Sequence, residues 1–183
     1  MNFFIDLKIK PDAEMRENLL FNKIYAKLHK ALSTMQSNDI GVSFPKYRIK
    51  LGDTIRIHGS QDRLNVLQGM AWLGGLSGYC DVSECLPVPN GVKHRVISRK
   101  QCNMTEAKLR RLQKRGSITA EASKEYKAKM FTQGLDNPYL ELESASNGHK
   151  HRRYIQFSEL VDDQVKGEFD QFGLSKKATI PWF

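Results

Sequence analysis

The stretch NFFIDLKIK, residues 2–10, decides the reading of the first half of the chain. Phe3, Ile5, Leu7 and Ile9 recur at every second position, and only Phe4 interrupts the polar alternate row. Successive side chains of an extended chain point to opposite faces, so this period predicts a half-buried strand, ended by Pro11. Over residues 14–35 the period changes: Leu20, Phe21, Ile24, Leu28, Ala31 and Leu32 recur at intervals of three and four, the apolar stripe of an amphipathic helix. At about 100° per residue His29 falls on the flank of that stripe, available to a cleft or to solvent. Residues 40–44 are a short apolar run closed by Pro45, and TIRIH at 54–58 alternates. Ser60 caps a helix through Leu64, Leu67 and Met70 to Leu73, and a last strand-like run covers 82–88. The order strand, helix, strand, strand, helix, strand is that of a ferredoxin-like domain, expected over residues 1–92 of an α+β protein. Such a fold hosts many activities and decides little about function.

The remainder, 93–183, is expected to form a smaller α+β domain. Its centre is SRKQCNMTEAKLRRLQKR at 98–115, where Arg99, Lys100, Lys108, Arg110, Arg111, Lys114 and Arg115 surround a single acid, Glu106. Asn103 with Glu106 three residues on has the capping-box spacing, and Gly116 supplies a stop, so a short helix is predicted over 104–115. Leu109 and Leu112 can pack inward, leaving the cations on the exposed side. Only Glu106 offers an i,i+4 acid, to Arg110, so like charges repel along that surface and a polyanion would relieve the repulsion. A second helix is expected over 119–132, stopped by Gly134. YLELES at 139–144 and RYIQF at 153–157 read as strands joined through the turn signal Asn147-Gly148.

Composition narrows the function. The chain has 183 residues and a net charge of +9, from 29 basic and 20 acidic residues. The second half carries most of the excess, 18 basic against 11 acidic residues, compared with 11 against 9 in residues 1–92. That asymmetry points to a polyanion as partner. No run approaches the roughly 18 apolar residues that span a bilayer, and MNFFIDLKIK lacks the pattern of an export signal. Cys80, Cys85 and Cys102 show no C-x-x-C pairing, so reduced thiols in a cytoplasm are expected rather than a disulfide framework or zinc site. No phosphate-loop, dinucleotide or zinc-protease motif occurs, and the carboxylates are scattered, which disfavours a two-metal nuclease. RNA can be cut without metal, because its 2′-hydroxyl can attack the adjacent phosphate once a base takes the proton. Histidine suits that role, with an ordinary pKa near about 6.5, and a serine hydroxyl can orient the oxygen. Spacing alone does not choose among His29, His58, His94, His149 and His151.

KLHKAL at 27–32, IGVSFP at 40–45, SRKQ at 98–101, LRRLQKR at 109–115, SASNG at 144–148 and GLSKKATIPWF at 173–183 resemble the Csy-type family of CRISPR repeat-processing endoribonucleases of type I-F systems. The resemblance runs from end to end. It implies a ferredoxin-like domain followed by one with an arginine-rich helix, binding of the CRISPR repeat hairpin, and cleavage of precursor CRISPR RNA at the 3′ base of the stem. It further implies a 2′,3′-cyclic phosphate product, no metal or cofactor, and retention of the mature crRNA with other subunits of a surveillance complex.

The resemblance places the catalytic histidine on His29 and the active-site serine on Ser144, with Ser146 matching a second serine. Arg99 and Gln101 match the pair that reads purines at the base of the stem; a guanidinium fits guanine O6 and N7, and an amide fits adenine N6 and N7. Lys108, Arg110, Arg111, Lys114 and Arg115 would track phosphates in a groove open from the end of a short stem. Two positions depart from the family pattern. Phe172 stands where the best-known members have a tyrosine near the catalytic centre, and His151 where a phenylalanine stacks on the closing base pair. A non-catalytic hairpin-binding subunit is the alternative, and a DNA-binding protein using the basic helix in a major groove is a third reading, which leaves His29 and SASNG unexplained.

Phosphate contacts release counterions whichever bases are present. Replacing Arg111 and Arg115 with alanine is therefore expected to weaken binding to every RNA hairpin alike and to flatten the salt slope by about one unit per lost contact. An unchanged slope in a salt titration would remove the helix from the interface.

Overall fold

The computed structural model describes residues 1–101, 106–132, 137–143 and 148–183 of the chain. The architecture is α+β with antiparallel sheets. In the first half the elements follow the expected order: β1 (Phe3–Ile9), α1 (Glu17–Thr34), β2 (Gly41–Ser43), β3 (Thr54–Gly59), α2 (Gln61–Gly69) and β4 (Cys80–Val82). The strands lie in the order β2-β3-β1-β4, each neighbouring pair antiparallel. Ile5 of β1 sits opposite Ile57 of β3 and Leu7 opposite Ile55, so the period-two row faces one way. On that face α1 lays Leu20, Ile24, Leu28 and Leu32, all buried.

Three boundaries differ from the sequence reading, each for a local reason. Helix α1 begins at Glu17 rather than Glu14, because the Asp12 carboxylate accepts the N–H groups of Glu14 and Met15 at 2.9 and 2.8 Å and holds them in a turn. Ser60 caps α2 as expected, accepting from the Arg63 N–H, but the helix stops at Gly69 and Ala71 adopts φ 47°, leading into a 3-10 turn at Gly74–Tyr79. The run 82–88 is not one strand. Beyond β4 the chain bends, and β5 (Leu86–Pro87) pairs separately with Phe3 and Phe4. The four steps from Val82 to Leu86 face only three on β1, from Leu7 to Phe4, so the strand bulges by one residue, and there the Ser83 hydroxyl accepts the Asp6 N–H at 2.9 Å.

The other face of β1 and β3 buries charge. Arg56, 9% exposed, donates to both Asp6 carboxylate oxygens at 2.6 and 2.7 Å and to the main-chain oxygen of Phe183 at 2.7 Å. Its guanidinium lies over the rings of Phe4 and Phe183, at 4.6 and 3.9 Å from their centroids. A charge this far from water persists because carboxylate, carbonyl and π-faces replace its hydration.

The second half opens with β6 (Lys93–Arg95) and β7 (Ile97–Lys100), so SRKQ begins in a strand. Helices α3 (Glu106–Lys114) and α4 (Ala120–Thr132) follow, then β8 (Tyr139–Glu143), β9 (Lys150–Phe157) and β10 (Ile180–Trp182). A three-stranded sheet has the order β7-β9-β8, while β10 returns to pair with β6. Leu109 is buried, Gly116 ends the basic helix with φ 66°, and the Gln113 amide ties α3 to Ser123 of α4 at 2.8 Å. The expected Asn103 cap, Cys102, the Gly134 stop and Asn147 of the hairpin turn lie outside the described residues. Ile97, Leu140, Leu142, Ile155, Leu174 and Ile180 join the same apolar cluster as β1, β3 and α1, so one core runs through both halves. Among the described residues no helix is long and apolar enough to cross a membrane.

The chain from Phe169 to Ser175 threads between these elements. Phe169 N–H donates to Asn38 O, Val42 N–H of β2 donates to Gly173 O, and Ser175 N–H donates to Ile97 O of β7, all at 2.9 to 3.0 Å. Gly173 has φ 68°, and a Cβ there would stand 2.3 Å from Val42 Cγ2. Gly173→Ala combines a left-handed penalty of about 1 kcal/mol with an overlap worth about 1–3 kcal/mol. Thermal unfolding should register a lower Tm, by roughly 2–4 °C per kcal/mol in a chain of this size. A Tm equal to the parent's would show that this turn does not press on β2.

Candidate active site

Residues 170–173, DQFG, form a turn that the Asp170 carboxylate closes on itself. Its Oδ1 accepts the N–H groups of Phe172 and Leu174 at 2.9 and 3.0 Å, and the Asp170 carbonyl accepts from Gly173 N–H at 2.8 Å. Two residues of α1, one helical turn apart and so on one face, bind consecutive carbonyls of this turn. The Tyr25 hydroxyl donates to Phe172 O at 2.6 Å, and His29 Nδ1 lies 2.9 Å from Gln171 O. Tyr25 is fully buried; burial first, and the Asp170 carboxylate second, push its pKa up, so it stays a donor.

A carbonyl oxygen only accepts, so in this contact His29 Nδ1 carries the proton. In the neutral ring Nε2 is then the lone-pair nitrogen. The imidazole also stacks on Phe172, with centroids 3.6 Å apart and planes 11° from parallel. Hydrogen bond and stack together are worth about 1–3 kcal/mol, enough to favour one ring orientation by about fivefold or more.

The opposite face of Phe172 is covered by Arg153, whose guanidinium carbon sits 3.5 Å from the ring centroid. At those separations imidazole and guanidinium cannot share a face, so the phenyl ring is sandwiched between them. Arg153 is 8% exposed, and its Nε has no hydrogen-bond partner among the described residues. Burial, and after it the neighbouring Arg99 guanidinium, lower its pKa, against an opposing pull from Asp170.

Arg99 on β7 pairs with Ile155 on β9, which places Arg99 and Arg153 on the same face of that sheet. They line an open cavity of about 430 Å³ together with Gln101, Asp170 and Lys176. An adjoining hollow is lined by Arg99, Arg153, Asp170, Gln171 and Phe172. Of the residues singled out from sequence, the structure thus gathers His29, Phe172, Arg99 and Gln101 around Arg153 and the 170–173 turn. His151, opposite Leu142, is exposed on the same face of β9 as Arg153. Lys108, Arg110, Arg111, Lys114 and Arg115 are exposed on or just after α3, which packs on α4; Arg110 is paired with Glu106 at 3.0 Å. Ser144 and Ser146 lie outside the described residues.

The remaining histidines behave differently. His58 is fully buried, with Nε2 at 2.8 Å from Ser43 Oγ, and burial followed by Arg56 holds its pKa well below the ordinary value, so it is neutral and beyond the reach of a dissolved substrate. His94 Nδ1 donates to Asp162 O at 3.2 Å. Among the described residues no three His, Cys, Asp or Glu side chains converge.

Sequence reasoning missed Tyr25, Asp170 and Arg153. Tyr25 reads as one more member of the apolar stripe. Asp170 was legible as the first residue of an Asp-x-x-Gly turn. Arg153 occupies an inward position of the alternating RYIQF strand, level with Ile155 and Phe157, and an arginine on a core face is itself a signal.

Residues 4–183 match the family model described as CRISPR-associated protein (Cas_Csy4). The chain is similar to the CRISPR-associated endonuclease Cas6/Csy4 of Escherichia coli (strain UTI89 / UPEC), with 38% identity over 184 residues and 100% of each chain covered. It is similar also to the protein of the same name from Pseudomonas aeruginosa (strain UCBPP-PA14), with 34% identity over 187 residues and 100% of each chain covered.

Proposed function

Since this chain belongs to the CRISPR-associated Csy4 family, we propose that it is an endoribonuclease that binds the CRISPR repeat hairpin and cuts precursor CRISPR RNA at the 3′ base of the stem without metal. One observation supports the chemistry above all others: His29 directs Nδ1–H at Gln171 O and rests its face on Phe172, which leaves Nε2 as the basic nitrogen. In the proposed step Nε2 takes the proton of a ribose 2′-hydroxyl. The oxygen attacks the adjacent phosphorus, the bond from phosphorus to the next nucleotide's 5′-oxygen breaks, and that oxygen leaves and takes up a proton. The products are a 2′,3′-cyclic phosphate and a 5′-hydroxyl. No water adds to phosphorus and no electron changes hands.

The other assignments divide by element. Ser144 orients the 2′-hydroxyl, with Ser146 beside it. Arg99 and Gln101, at the cavity rim, read purines at the base of the stem, each bidentate pair discriminating by about 1–3 kcal/mol. Lys108, Arg110, Arg111, Lys114 and Arg115 hold phosphates, and His151 stacks on the closing base pair. Phe172 has no hydroxyl to give, so its part is to hold the imidazole by its face. The domains divide at about residue 92, with the catalytic centre where they meet. The protein works in the cytoplasm and keeps its product as part of a type I-F surveillance complex with other subunits.

General-base catalysis contributes about 10² to 10⁴-fold. His29→Ala is therefore expected to abolish cleavage at ordinary assay pH while hairpin affinity stays near the parent's, and the parent enzyme is expected to cut in EDTA and yield a cyclic phosphate. Robust cutting by the His29→Ala protein, or a strict magnesium requirement, would contradict the mechanism. Tight hairpin binding by a parent protein that never cuts would favour the binding-subunit reading.

A further inference from the structure

We propose that Arg153 forms an anion subsite that takes a backbone phosphate of the bound RNA next to the nucleotide that His29 acts on. This rests on the hairpin-cleavage reading above and adds to it a residue that neither charge patterning nor motif matching selects.

Burial and partnering make the first part of the case. Arg153 is 8% exposed, and among the described residues no carboxylate lies within salt-bridge distance of it and its Nε has no acceptor. The contrast with Arg56 is informative, since that comparably buried arginine has both oxygens of Asp6 and a carbonyl. A desolvated guanidinium without an anion is costly, and proteins retain such groups where a ligand supplies the missing charge.

The second part is the charge around it. Arg99 adds a like charge on the same sheet face, and Lys176 lines the same cavity. Glu168 and Asp170 line it as well, but Asp170 Oδ1 already holds two N–H groups of the turn. The cations outnumber the acids, and a phosphate would complete the set, its oxygens matching the guanidinium fork.

Position supplies the third part. The guanidinium and the His29 imidazole lie one phenyl ring apart, on opposite faces of Phe172. A phosphate on Arg153 is thus not the one under attack but a neighbour on the same strand. Its capture would order the strand across the ring edge and bring the reacting 2′-hydroxyl towards Nε2.

The test uses the full-length protein and its own repeat hairpin carrying a 2′-deoxy substitution at the cleavage site, so that binding is read without cutting. Fluorescence anisotropy across a salt series is measured for the parent, Arg153→Met and Arg153→Lys, alongside thermal melting of each. An apolar residue of similar volume in place of an unpaired buried charge is expected to leave Tm equal or higher. Hairpin affinity should fall roughly tenfold and the salt slope by about one unit for Arg153→Met, with the slope kept by Arg153→Lys. Unchanged affinity and slope in Arg153→Met would overturn the subsite and leave the hairpin reading intact. A parent protein that does not bind the hairpin would overturn that reading and the subsite with it. Unfolding of both variants would show that the arginine is a structural strut and would overturn the subsite as well.

Discussion

Two hydrogen bonds from adjacent turns of one helix, Tyr25 Oη to Phe172 O and His29 Nδ1–H to Gln171 O, tie the first half of the chain to the second at the point where the chemistry is expected. The Tyr25 hydroxyl lies within the core, and the His29 bond lies at the half-exposed edge. The inner contact therefore sets the distance, and the outer one inherits it. If the turn shifted by one residue, Nδ1 would lose its acceptor and the stack on Phe172 together. The Asp170 cap, the left-handed Gly173 and the close approach to Val42 all serve to prevent that shift.

Charge is distributed according to the cost of burying it. On α3 the cations are exposed, so they can contribute affinity that salt screens and that is blind to sequence. On β7 and β9 the arginines stand at or beneath the rim of a cavity, where displaced water makes each contact stronger and geometry more exacting. Arg56, at the far side of the first sheet, shows the third arrangement, a buried cation fully matched by Asp6 and by aromatic faces. Histidine follows the same division. His58 is sealed in the core and kept neutral, whereas His29 is fixed on one ring nitrogen and on one face.

Much of the architecture was legible. The period-two row of 3–9, the helical stripe of 20–32, the Ser60 cap and the Gly116 stop are local signals, and local physics formed the elements they promise. What failed were boundaries decided by side chains competing for the backbone. Asp12 holds back the start of α1, and a bulge at Ser83, whose hydroxyl takes the Asp6 N–H, divides the run at 82–88. Strand β10 was not legible, because IPW has no alternation of its own and becomes a strand only by pairing with β6. For the site, spacing could not choose His29 among five histidines, and resemblance did. Tyr25 and Arg153 escaped notice because their roles depend on a turn about 150 and 20 residues away in sequence, a relation that only the folded chain creates. The places of Ser144 and Ser146 fall outside the described residues.

The tautomer of His29 bears on all of this most directly. Nitrogen-15 NMR of the imidazole in the folded, RNA-free protein distinguishes a protonated from an unprotonated ring nitrogen at each position. At a pH where the ring is neutral, the hydrogen bond to Gln171 O requires the proton on Nδ1 and a lone pair on Nε2, with that pattern lost when Gly173→Ala displaces the turn. A neutral ring protonated at Nε2 in the parent protein would mean that the turn does not hold His29 as described, and the lone pair would sit on Nδ1 rather than on the Nε2 that the proposed step uses.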